Sequence, residues 1–326
     1  SSSSSSSSGA CASALRGSFE ELRRLASSPN GREALAAELR LCSPLPHSFL
    51  PTLQGLELYF SMAIDTLAMA NYPYPSDYIT SPGLLLPPWP LHVACQHLMG
   101  GGGPGEEGKE GGGAKISMAR RLLLASNVLY NVSGTLPCLS LPEDDTYDGI
   151  WDYQWCTETL PQESYFARDG GSRDAFPAAH WSAEEVDAHC TRKYNVTPRR
   201  GWIAALYGGA EGLRKGASNI AFSNGGMDPW SSGGVLHSLS PSLPSLFIPQ
   251  GAHHLDLFFS HPADPPSVVQ VRAEELRLMA SWLGLPPRVT HAPHHVTHSP
   301  EHVIETPEHV IEGSEHVIEG SEHVIE

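Results

Sequence analysis

Positive charge is what this 326-residue chain has least of: 20 Lys and Arg stand against 36 Asp and Glu, a net charge of −16. Phosphate recognition needs clustered cations, so a nucleic-acid partner is not expected. Long hydrophobic runs are missing too. Leu58–Ile64 is flanked by Glu57 and Asp65, and Tyr78–Met99 is broken by Pro82, Pro87, Pro88 and Pro90. No segment offers the ~20 continuous apolar residues of a membrane span. No CxxC pair occurs among the six cysteines, which argues against zinc and redox motifs. The first eight residues are all serine. They form neither an apolar signal core nor a basic presequence, so no targeting peptide is expected in them.

What is present is unevenly spread. Glu301–Glu326 holds eight glutamates and no Lys or Arg, so this tail carries −8 and the rest a mild −8. With 40% of the chain hydrophobic, that body can bury a core. The tail repeats a seven-residue unit: EHVIETP, EHVIEGS, EHVIEGS, EHVIE. Gly and Pro interrupt the units, so 289–326 is expected to be a disordered acidic tail and not a coiled coil. A metal collected by its histidines, His302, His309, His316 and His323, is the alternative. Residues 1–10 read as a low-complexity serine-rich start. Gly100–Gly113, GGGGPGEEGKEGGG, reads as a disordered insertion.

Between these stretches the pattern is first helical. Leu15–Ala26, Arg32–Leu41, Leu53–Ala70, His92–Met99, Ile116–Tyr130, Ala183–Tyr194 and Trp202–Tyr207 carry helical spacing, separated by proline-rich connectors such as Tyr72–Pro75. The character changes near Ala217. Asn219–Phe222 and Leu246–Ile248 are short apolar runs, each followed by turn residues. A closing amphipathic helix is expected from about Ser267 to Leu283, with Val268, Val271, Leu276, Met279 and Leu283 as its apolar positions. Strand, loop, strand, loop, helix is how an open α/β sheet ends, with its chemistry in loops after strands.

The cysteines are Cys11, Cys42, Cys95, Cys138, Cys156 and Cys190. Their even number and wide spacing point to three disulfides, with many connectivities open. Two sequons, at Asn131 and Asn195, agree with an oxidising compartment, where glycosylation and disulfides occur together.

Asp228 stands in SNGGMDPW, after the first expected strand, and His253 in QGAHHLDL, after the second. An acid after one strand and a histidine after the next is the closing half of an α/β-hydrolase triad, whose order is nucleophile, acid, histidine. The imidazole takes the nucleophile's proton, and the carboxylate fixes its tautomer and stabilises its cation. On spacing alone the competing reading is a turn at Asp228-Pro229 and an ordinary loop at His253-His254.

SNGGMDPWSSGGV and GAHHLDLFFSHPADPPSV resemble the serine exopeptidase family of lysosomal prolylcarboxypeptidase and dipeptidyl peptidase II. So do LCSPL (Leu41–Leu45), ANYPYPSDY (Ala70–Tyr78), LPPWPLHVACQHL (Leu86–Leu98), WDYQWCTE (Trp151–Glu158) and TPRRGWIAALYGG (Thr197–Gly209). The resemblance runs from about Cys11 to Leu285. It implies a fold of class α/β: the C-terminal part of an α/β-hydrolase sheet (216–288) plus a helical, disulfide-linked cap (11–215). It also implies Asp228 as triad acid, His253 as triad base, and His254 as their structural neighbour. Trp230 would be a wall of a proline-accepting pocket, and Leu160, beyond WDYQWCTE, a substrate contact. The implied disulfides are Cys11–Cys95, Cys42–Cys138 and Cys156–Cys190. A peptide with proline near the scissile bond is the implied partner, with no cofactor and no metal, in a lysosome, a vacuole or the secreted space. Carboxypeptidase and dipeptidyl-peptidase action both stay open.

One departure from the family pattern is large. Its nucleophile lies in a Gly-x-Ser-x-Gly elbow ahead of the cap. Gly216-Ala217-Ser218-Asn219-Ile220 and Gly170-Gly171-Ser172-Arg173-Asp174 both lack the last glycine and stand in the wrong place. The expectation is an incomplete chain, without the serine, the oxyanion hole and the first strands, and inactive alone. The alternative is an inactive remnant that serves as a binding module.

Overall fold

The computed structural model describes residues 4–43, 45, 49–100, 116–140, 150–158, 175–177 and 182–286. Leu160, residues 101–113 of the glycine-rich stretch and the repeat tail lie outside the described residues.

Five helices build the larger core: α1 (Ser4–Ala26), α2 (Pro29–Glu38), α3 (Phe49–Met69), α4 (Pro90–Leu98) and α5 (Met118–Tyr130). Leu15, Phe19, Leu22 and Ala26 recur every three or four residues along α1, so they share one face, and all four are buried. They join Leu35, Phe60, Leu67, Leu98 and Leu122 in one cluster. Local chemistry sets several of the ends. Ser28 Oγ accepts the Gly31 N–H ahead of α2, and Ser117 Oγ accepts the Arg120 N–H ahead of α5. Each satisfies one orphan donor of a helix start. The helix α1 begins inside the serine run, further back than its periodicity indicated.

Disulfides tie these helices together. Cys11–Cys95 joins α1 to α4, and Cys42–Cys138 joins the chain after α2 to the chain after α5. A second, smaller cluster lies between α6 (Ile150–Thr157) and α7 (Ala183–Tyr194), where Cys156–Cys190 packs with Val186. Sequence periodicity did not reveal α6, a helix of only eight residues in the WDYQWCTE word. Nor did it reveal α9 (Gly209–Gly216), whose three glycines obscure the pattern. The helix α8 (Trp202–Tyr207) precedes α9.

Then come β1 (Phe222–Gly225), β2 (Ser245–Ile248) and α10 (Pro266–Trp282). The strands run parallel, with Phe222 beside Ser245 and Gly225 beside Ile248. The chain is therefore helix-rich with a small parallel sheet, an arrangement compatible with an α/β class. Two sequence expectations need correction here. The first strand lies later than Asn219–Phe222, because Asn219 adopts φ +60°, outside extended backbone. The pairing only begins with Ile220 N–H to Ser242 O, at 3.2 Å. On α10, Val268 and Leu278 face inward, whereas Leu276, Met279 and Leu283 are 61%, 47% and 73% exposed. This helix carries two apolar stripes, and the described residues cover one of them.

Candidate active site

The two loops that follow β1 and β2 are bound to each other by backbone. Gly226 N–H donates to Ile248 O at 2.8 Å, and Met227 N–H donates to Gly251 O at 2.9 Å. Glycine is needed for this approach: a Cβ on Gly225 would fall against the Gly251 carbonyl. So joined, the loops carry two side chains separated by 25 residues to a single point. His253 Nδ1 lies 2.9 Å from Asp228 Oδ2. Both side chains are mostly buried, at 19% and 12% exposure.

Asp228 also caps its own turn. Its Oδ1 accepts the Trp230 N–H at 3.0 Å, at the start of the short 3-10 helix Pro229–Gly233. The turn and the His253 contact, set against each other on sequence grounds, are thus compatible: one carboxylate oxygen serves each. With Asp228 ionised, the proton of the neutral imidazole sits on Nδ1, leaving Nε2 as the basic atom. Nε2 makes no hydrogen bond among the described residues.

The end of α3 supports both loops. Met69 O, on the last residue of the helix, accepts the His253 N–H at 3.2 Å. Trp230 Nε1–H points at Met69 Sδ, 3.0 Å away. Tyr72 Oη–H donates to His253 O at 2.8 Å. Trp230 faces the His253 ring at 6.5 Å between centroids, and Trp151 of α6 meets Trp230 edge-on at 6.1 Å. The site therefore has one indole beside the imidazole and a second indole against the first.

Electrostatics around the pair are acidic. Asp65, one turn before Met69 on α3, has its carboxyl held above the usual range, first by burial and then by the charge of Asp228. The His254 ring lies 3.7 Å from that of His253. Its pKa is pulled down, first by burial and then by His253. His254 itself sits at φ +57° and starts a short 3-10 turn.

A separate polar cluster joins α6 to α7. Buried Asp152 accepts from Lys193 Nζ (2.5 Å), Tyr194 Oη (2.8 Å) and His189 Nε2 (3.0 Å). Burial acts against its ionised form, but bonds from Lys193, Tyr194 and His189 outweigh that, and its pKa falls. Asp152, Cys156 and His189 stand close enough for a metal. The Cys156 sulfur is already in a disulfide and offers no thiolate, the form that binds metal, so the cluster acts as a polar staple.

Of the other sites expected from sequence, Asn195 ends α7 in left-handed backbone and is exposed. Asn131 follows α5 and accepts the Leu136 N–H through Oδ1 at 3.0 Å. Sequence reasoning missed Met69, Tyr72, Asp65 and Trp151. Asp65 and Met69 lie just ahead of the word ANYPYPSDY (Ala70–Tyr78), and Tyr72 lies within it.

The family model "Serine carboxypeptidase S28" matches residues 1–275. Lysosomal Pro-X carboxypeptidase of Pongo abelii is 35% identical over 276 residues, 84% of this chain and 51% of its own length. The Homo sapiens protein of that name is 34% identical over the same shares. Thymus-specific serine protease of Homo sapiens is 24% identical over 84% of this chain and 52% of its own length. The chain spans about half the length of these relatives.

Proposed function

We infer the function from ancestry and geometry together: this chain belongs to the serine carboxypeptidase S28 family, and we propose that Asp228 and His253 are the acid and base of its peptidase triad. One observation carries the proposal, the 2.9 Å contact between His253 Nδ1 and Asp228 Oδ2 in loops after two parallel strands. His253 Nε2 takes the proton of a serine hydroxyl as that oxygen attacks a peptide carbonyl. Asp228 steadies the imidazolium, and the proton passes to the leaving amine. Water then releases the acyl group.

The serine belongs, in this proposal, to a stretch outside these 326 residues, which contain no Gly-x-Ser-x-Gly word. Residues 216–288 are then the C-terminal part of an α/β-hydrolase sheet, and 11–215 its helical cap. The substrate is a peptide with proline near the scissile bond. That choice is supported by the name of the relatives and by Trp230 beside His253, an apolar face suited to a pyrrolidine ring. Leu160 is a further substrate contact in this reading. Asn131 and Asn195 carry glycans, and the protein works in a lysosome, a vacuole or the secreted space.

The test is hydrolysis of proline-containing peptides by these 326 residues alone and by a chain completed to the length of its relatives. Turnover only by the completed chain, lost on Asp228→Asn and on His253→Ala, is the expected result. Turnover by the completed chain that survives both changes would overturn the assignment.

A further inference from the structure

We propose that Tyr72 is a positioning residue for His253, and that the end of α3 is the mount holding the catalytic imidazole in register with Asp228; the inference rests on the triad reading above. Asp228 fixes the ring of His253 at one atom, which leaves the backbone that carries the ring to be fixed by something else. The structure supplies two bonds, one on each side of the residue. Met69 O holds the His253 N–H at 3.2 Å, and Tyr72 Oη holds the His253 carbonyl at 2.8 Å. His254, the next residue, sits in left-handed backbone, so the chain turns sharply just past the ring. A loop bent in this way keeps its aim only if its amide groups are tied.

Tyr72 is well placed to do the tying. Its side chain is fully buried, with the Phe258 ring 4.9 Å and the Tyr78 ring 6.3 Å from its own. Its carbonyl accepts the Trp89 N–H at 2.7 Å, so the backbone of Tyr72 is anchored ahead of α4. The hydroxyl is therefore a fixed point on a fixed ring. Burial holds its pKa above the usual tyrosine value, which keeps it a donor at any pH in which the protein functions. Met69 adds a second element: its carbonyl is one of the orphan acceptors that end a helix. The negative end of the α3 dipole thus faces the loop whose ring must become cationic during acyl transfer.

Tyr130 provides an internal comparison. Its hydroxyl likewise donates to a backbone carbonyl, that of Tyr59 at 2.9 Å, and its ring stacks on Tyr59. A Tyr→Phe change there deletes the same chemistry without touching the His253 loop. The experiment follows the Nδ1–H proton of His253 by NMR in the full 326-residue chain, in the parent, Tyr72→Phe, Tyr130→Phe and Asp228→Asn. It also measures kcat and KM for the parent, Tyr72→Phe and Tyr130→Phe in the completed, peptide-hydrolysing chain. Tyr72→Phe is expected to speed exchange of that proton with water at least tenfold and to lower kcat by roughly tenfold to a hundredfold with little change in KM, the scale of a small misplacement. Tyr130→Phe should lower thermal stability by a similar amount and change neither readout. An exchange rate and kcat in Tyr72→Phe that match those of Tyr130→Phe would overturn the positioning role and leave the triad intact. Persistence of the proton signal in Asp228→Asn would overturn the triad reading, and this inference with it.

Discussion

Glu275→Gln should make the folded chain more stable at neutral pH and leave it unchanged in acid. Glu275 lies one turn beyond Arg272 on α10, facing the loop that carries His253. Arg272 is the nearest candidate counter-ion on the helix, but its guanidinium is hydrogen-bonded elsewhere. It donates to Leu255 O at 2.6 Å, to Asp256 O at 2.8 Å and to Asp264 Oδ2 at 2.5 Å. Asp256 is 8% exposed, and its Oδ2 is buried without a hydrogen-bond partner. Glu275 is accordingly pushed up from 4.5 to about 7, first by burial, then by the charge of Asp256 and a bond to it. At 1.36 kcal/mol per pH unit this is a ceiling of ~3 kcal/mol. Solvent reaches the partly exposed carboxyl, which reduces the expected effect to ~1–2 kcal/mol. The sign follows from the raised value. Between about pH 4.5 and 7 the folded chain keeps a proton that the unfolded chain releases, so stability falls as pH rises through that window and is flat above it. A glutamine stays neutral throughout. Urea unfolding of both proteins at pH 4, 5.5, 7 and 8, followed by tryptophan fluorescence, gives the difference at each pH. Taking differences cancels His254, whose burial-depressed pKa acts with the opposite slope. Equal stabilities at pH 4 and a gain of ~1–2 kcal/mol for the variant at pH 8 are expected. A difference that does not change with pH, or one that favours the parent at pH 8, would refute the reasoning.

In the completed chain, Asp228→Asn should cut kcat by about 10⁴, the cost of a wrong imidazole tautomer. His254→Ala, read in the same peptide assay, should cost far less, because that ring contacts the His253 ring and not Asp228. Replacing Cys156 and Cys190 by serine opens a loop spanning 34 residues. Denaturant unfolding should register a loss of ~3–4 kcal/mol if the bridge acts through chain entropy. Asp152→Ala removes the acceptor shared by Lys193, Tyr194 and His189 and should cost ~1–3 kcal/mol, measured the same way. Protein from a secretory host should lose mass on enzymatic deglycosylation, with part of that loss absent in Asn131→Gln and part in Asn195→Gln.

Helices with a wide apolar stripe were legible in the sequence because burial of that stripe is what stabilises them. The boundaries of α4 and α5 moved by only a few residues, to Pro90–Leu98 and Met118–Tyr130, whereas α1 starts at Ser4 and not at Leu15. The eight-residue α6 was not legible, since two turns hold too little periodicity to register. Nor was the inward face of α10, because two apolar stripes on one helix look alike until neighbours choose between them. Asp228 and His253 were legible through their words, whose turn residues and paired histidines mark loops after strands. Trp151 and Tyr72 were not, as nothing in a tryptophan or a tyrosine says which distant loop it will meet.

The amino-acid order alone marked Asp228 and His253 as candidates and revealed the longer helices, because both readings depend on side-chain type and on spacing within a few residues. It also placed this acid and this histidine in loops that follow two short apolar runs. Only the tertiary structure decided that they touch. It placed Gly225 against Gly251, drew two loops 25 residues apart to 2.9 Å, and set Met69 and Tyr72 of a distant helical segment around His253. Such contacts depend on how strands and helices close around a shared core, a non-local balance of packing and hydrogen bonding that no short stretch of sequence encodes.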